Sequence, residues 1–125
     1  MLLHLYILAF AILPATGDGQ HIEEHTVDRI ADAIFRSEHS QHHPYGVMIP
    51  SKDPRTVCEN TIRHAWVDFE RENRLAGSHI THGTLAASSL PFISFLGHQY
   101  CPPSVDPVGF KNWTNNVYRI LQHSH

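Results

Sequence analysis

Histidine changes charge close to neutral pH, and this chain of 125 residues carries 12 of them. The most suggestive is His82, which closes the run Arg74-Leu75-Ala76-Gly77-Ser78-His79-Ile80-Thr81-His82. An imidazole at the end of a rigid strand, beside a concave surface, can serve as general acid or base. His42 and His43 are candidate bases, and Arg63 and Arg74 are candidate sources of positive charge. Trp66 and Trp113 offer flat apolar faces that could stack on a nucleobase or anchor a partner protein. The commoner use of tryptophan is packing, largely out of water.

A second chemistry is metal binding. His39, His42 and His43 cluster, and His79 and His82 are three apart. Zinc takes His, Cys and carboxylate ligands in tetrahedral sets. On a strand, however, positions i and i+3 point to opposite faces, so His79 and His82 would not chelate together. The expectation is no metal and no cofactor, with a secreted histidine-rich metal-binding or structural protein as the third functional reading.

These groups need elements to hold them. Val27, Ile30, Ala31 and Ile34 recur at helical spacing, so residues 26–37 are expected to form a helix. Thr26 is a suitable N-cap, and Arg36 suits the last turn. Tyr45 to Ile49 reads as a short apolar strand between Pro44 and Pro50. Ala65, Val67 and Phe69 alternate with Trp66 and Asp68, the period of a half-buried strand. Glu70 to Asn73 would then be a turn, and Arg74 to His82 the return strand. Pro91 argues against one unbroken helix in 85–96, and Phe92 to Leu96 looks like a buried strand. Residues 110–121 fit an amphipathic helix, although 117–121 fit a strand equally well. The fold class expected is α+β, a single N-terminal helix packed on a curled antiparallel sheet.

Leu2 to Pro14 is almost wholly apolar and is followed by the small residues Ala15 and Gly17. This reads as a signal peptide over 1–17, too short to span a bilayer, which needs about 20 residues. It leaves one domain, 18–125, expected to be secreted, monomeric and not membrane-bound. The formal charge of −3 argues against a strongly basic, sequence-blind nucleic-acid binder. In a secreted chain, Cys58 and Cys101 read as one disulfide. Closing a loop of about 44 residues would add about 3–4 kcal/mol under the chain-entropy account. Asn112-Trp113-Thr114 is a glycosylation sequon.

The string Phe69-Glu70-Arg71-Glu72-Asn73-Arg74-Leu75-Ala76-Gly77, followed by Ile80-Thr81-His82, resembles the C-terminal hairpin of the fungal guanyl-specific microbial ribonucleases. Tyr45 to Ile49 is similar to that family's central strand, and the helix at 26–37 to its single helix. The resemblance implies that His82 is the general acid, and that 18–125 is a ribonuclease-like domain. Two positions depart from the pattern. Gly46 stands where the family carries its catalytic glutamate, and Trp66 where it carries a phosphate-binding arginine.

A small secreted chain of this kind, with its acid–base pair incomplete, resembles the ribonuclease-like effectors of powdery mildew fungi. The expected function is therefore a secreted, non-catalytic effector that binds host RNA or host protein through Tyr45, Arg63, Trp66 and a vestigial His82. The enzyme alternative is a guanyl-preferring endoribonuclease that cleaves RNA through a 2′,3′-cyclic phosphate. Losing one acid–base partner typically costs 10²–10⁴-fold in rate, which favours the non-catalytic reading.

Overall fold

Two Asp-Pro pairs, Asp53-Pro54 and Asp106-Pro107, mark where helices begin. Each aspartate caps the third residue beyond it. Asp53 accepts from the Thr56 backbone N–H at 3.1 Å, and Asp106 from the Gly109 N–H at 2.9 Å. Proline is well placed at the first helical position, where its missing N–H would be unbonded anyway. The computed structural model describes residues 22–38, 45, 53–75 and 87–123. They form α1 (Glu24–Glu38), α2 (Pro54–Leu75), α3 (Leu90–Tyr100) and α4 (Pro107–His123).

Each helix packs on two others: α1 on α2 and α4, and α3 on the same two. The helices therefore close a ring, in chain order, around one core. Val27, Ile30, Ala31, Ala33 and Ile34 supply it from α1. The α2 stripe is Cys58, Ile62, Ala65, Trp66 and Phe69. Phe92, Ile93, Leu96 and Tyr100 come from α3, and Trp113, Val117 and Leu121 from α4.

The expected α+β architecture is thereby corrected. Among the described residues there is no strand. The N-terminal helix stands where its periodicity placed it, but it faces helices and not a sheet. The segment 65–69 lies inside α2, as does the turn expected at 70–73. Ala65 and Phe69 are buried, and they are four residues apart, which suits a helical face as well as a strand face. Extending the window back to Cys58 and Ile62 settles the period as helical. Phe92 to Leu96 is helical too, because Pro91 sits in the first turn of α3, where proline is tolerated. Residues 117–121 belong to α4. The strand at 46–49 and the return strand beyond Leu75 lie outside the described residues.

At the α3–α4 crossing the backbones come close through Gly97. A Cβ there would meet Thr114 Oγ1 at 2.7 Å and Phe110 Cε2 at 2.9 Å. Gly97→Ala is expected to force the helices apart and cost about 1–3 kcal/mol. A urea titration should show a lower midpoint with an unchanged slope. An unaltered midpoint would show that the crossing is looser than described.

Candidate functional site

The seam between α1 and α2 gathers the charged groups. Arg55, in the first turn of α2, reaches Asp28 and Asp32 on α1 at 3.4 and 2.5 Å. One turn along its own helix it meets Glu59 at 2.8 Å. Two turns further along α2, Arg63 forks onto Glu24, with Nη2 at 2.6 Å and Nε at 3.2 Å from its carboxylate oxygens. Glu59 lies 3.4 Å from Arg63 as well, so it bridges the two guanidiniums. Arg63 also donates to Asn60 at 2.9 Å. Hydrogen bonding to Glu24 is the main reason the Arg63 pKa is raised. At Arg55, partial burial opposes the charge but is outweighed by hydrogen bonds to Tyr45, Asp32 and Glu59. Exposed ion pairs of this kind contribute only about 0–1 kcal/mol each. Their larger consequence is that both cations already hold carboxylates.

Tyr45 joins this seam. Its hydroxyl accepts from Arg55 at 3.4 Å, and the guanidinium carbon lies 5.6 Å from the ring centre. The ring also contacts Phe35, with centroids 4.9 Å apart. Its φ of 59° is in the left-handed region, uncommon for a residue with a Cβ. Tyr45 is thus half-buried beside a cation, as a packing partner and not as an open platform.

Trp66 is turned inward. Its ring stands edge-on to Phe92 at 5.0 Å and tilted against Phe69 at 5.8 Å. Only 9% of it is exposed, so no nucleobase can lie on its face. Of the residues expected to grip RNA or a partner, the structure brings Tyr45 and Arg63 to the same seam and sends Trp66 to the core. His82 lies outside the described residues, as do Gly46, His39, His42, His43 and His79. Among the described residues no three His, Cys, Asp or Glu side chains come close enough to hold a metal ion. No helix there is long and apolar enough to cross a membrane.

A second arrangement runs through the core and was not anticipated from sequence. Glu38, at the end of α1, accepts a hydrogen bond from Trp113 Nε1 of α4 at 2.8 Å. Trp113 stacks on Tyr100 of α3, with centroids 4.9 Å apart and planes 16° from parallel. The Tyr100 hydroxyl lies 3.2 Å from Cys58 Sγ of α2. One polar thread thus takes a residue from every helix. Burial pushes the Glu38 carboxyl up to about 7, against the opposing pull of the Trp113 bond. Burial pushes the Cys58 thiol up to about 12 and the Tyr100 hydroxyl well above its ordinary value. A thiol so placed is protonated and a poor nucleophile.

Both cysteines are buried free thiols, and the expected Cys58–Cys101 bridge is not formed. Each sulfur has its own neighbour: Tyr100 Oη for Cys58, and the Asp106 carbonyl, at 3.9 Å, for Cys101. Thiol titration should count two groups in the unfolded chain, with Cys58 labelled only on unfolding. No reactive thiol after denaturation without reductant would contradict this and restore the bridge. Asn112 is exposed on α4, while Trp113 and Thr114 of its sequon are buried. The fold leaves room for a glycan on the asparagine.

Comparison with protein-family models, with curated proteins and with solved structures gives no match.

Proposed function

We propose that the chain is a secreted, non-catalytic binding protein whose partner is a protein and not RNA. The observation that carries this reading is the state of the groups an RNA partner would need. Arg55 and Arg63 are closed by carboxylates, and the Trp66 ring is in the core. Phosphate binding gains from releasing counterions to free cations, and a guanidinium already paired with carboxylates has little to offer. A mixed-charge seam on a chain of formal charge −3 suits a protein partner better. Secretion is supported by the apolar leader at 1–17. The string at 69–75 lies in α2 and not in a hairpin, so its likeness to the ribonuclease hairpin adds no support for an effector role.

The test is direct. The purified protein, with residues 1–17 removed, is offered a guanosine-containing dinucleotide and a fluorescent oligoribonucleotide. The expected result is no turnover, and only weak, salt-sensitive binding. Turnover that disappears in His82→Ala but persists in His123→Ala would replace this reading with the guanyl-preferring endoribonuclease.

A further inference from the structure

The one Asn-x-Ser/Thr triplet of this sequence, Asn112-Trp113-Thr114, lies wholly inside α4. Such a triplet is read through two side chains, the asparagine amide that takes the sugar and the hydroxyl two residues on. At 3.6 residues per turn, helical positions i and i+2 stand about 200° apart. Accordingly, α4 shows Asn112 to solvent and turns Thr114 into the crossing with α3. Thr114 Oγ1 is closed off from water and has no hydrogen-bond partner among the described residues. It lies 2.7 Å from where a Cβ on Gly97 would stand. Trp113, between the two, is stacked on Tyr100 and bonded to Glu38. In an extended chain the same positions i and i+2 share one face. Amide and hydroxyl can then meet one enzyme surface together.

From this geometry we propose that Asn112 accepts an asparagine-linked glycan only while α4 is unformed, and that folding withdraws the site. The proposal rests on the secretion reading above, because the sugar donor, a lipid-diphosphate-linked oligosaccharide, is met in the secretory pathway. In the transfer, the Asn112 amide nitrogen bonds to the anomeric carbon of the sugar. The bond from that carbon to the diphosphate oxygen breaks, and the lipid diphosphate leaves with the electron pair. The amide gives up one proton to a base of the transferase. Reading the triplet in the folded chain would require Trp113 and Thr114 to leave the core together, which amounts to unpacking α4. Once attached, the glycan stands on a face that also carries the exposed Val108, Lys111 and Asn115, clear of the packing on α1 and α3.

The experiment offers solubilised oligosaccharyltransferase, with its lipid-linked donor, two chains lacking residues 1–17 and made without glycan. One is the natural chain. The other is Phe92→Asp, in which a carboxylate at a fully buried site should keep the chain unfolded, as circular dichroism verifies. Transfer to Phe92→Asp is expected, and its loss when Asn112→Gln is added. Transfer to the natural chain is expected to be about a hundredfold slower or more, since folded domains are unfolded only about 10⁻³–10⁻⁶ of the time. Gly97→Ala, which loosens the crossing without abolishing the fold, should be modified faster than the natural chain in proportion to its larger unfolded fraction. Equal rates on all three chains, or no transfer to the unfolded one, would overturn the proposal. Translation of the full chain with microsomal membranes tests secretion separately. A glycan added behind the chain's own leader supports both readings. One added only behind a substitute secretory leader supports the acceptor and overturns the leader at 1–17.

Discussion

Trp113→Ala is expected to remove most of the stability of this protein. Trp113 is the largest fully buried side chain, stacked on Tyr100 and bonded to Glu38. Truncating a buried tryptophan costs about 3–5 kcal/mol in transfer and cavity terms. Here the loss also strips the half-buried Glu38 carboxyl of its donor, a smaller addition of about 0.5–1.5 kcal/mol because the group can turn to water. Small domains hold only about 5–15 kcal/mol in total, so the variant should be marginal or unfolded at room temperature. Trp113→Phe separates the two contributions, since it keeps most of the ring packing and loses only the donor. Urea unfolding followed by far-UV circular dichroism reads both variants. If Trp113→Ala unfolded like the natural chain, the ring could not be the centre of this core.

The second large effect concerns the α1–α2 seam. Replacing Glu24 and Glu59 by Gln, and Asp28 and Asp32 by Asn, opens both guanidiniums to solvent. The formal charge moves from −3 to +1. Because Glu24, Asp28 and Asp32 are exposed, their replacement should cost little, about 0–1 kcal/mol for each pair, with the larger share falling on the half-buried Glu59. Affinity for a single-stranded oligoribonucleotide at low salt is expected to rise by roughly tenfold or more, and to fall again as salt is added. Fluorescence anisotropy over a salt series measures this. Tight binding by the natural chain, abolished in Arg63→Ala, would mean that the seam opens for RNA and that the partner has been misassigned.

Of the four helices only α1 was legible outright, and the reasons for missing the others are specific. The α1 stripe spans two full turns of apolar residues with a polar opposite face, so its period is unambiguous. The run Ala65 to Phe69 is five residues long, and a pair spaced by four satisfies both periods. The residues after it, Glu70-Arg71-Glu72, are good helix formers and favour continuation over a turn. Pro91 speaks against a helix only when it falls inside one; in the first turn of α3 it is compatible with the helix. The Asp53-Pro54 and Asp106-Pro107 pairs are start signals that the sequence displays openly.

The site was less visible. The charge of Arg63 is plain in the sequence, but the carboxylates that engage it include Glu24, on another helix 39 positions away. The Trp66 ring suggests a stacking platform, yet the helical period that includes Ile62 and Phe69 puts it in the core. Glu38 carried one local signal, an acid in a last turn where a base is favoured. Its burial depends on Trp113, 75 residues downstream, and no local window reveals such a contact.

The most direct measurement is the backbone conformation of residues 65–75 by solution NMR. Helical carbon shifts and unbroken amide-to-amide contacts from Cys58 through Arg74 are expected. They would put Trp66 on the helical face shared with Ile62 and Phe69. Extended shifts over 65–69, with cross-strand contacts to residues after Gly77, would contradict the account. The paired-cation argument against RNA would then fall with the helix.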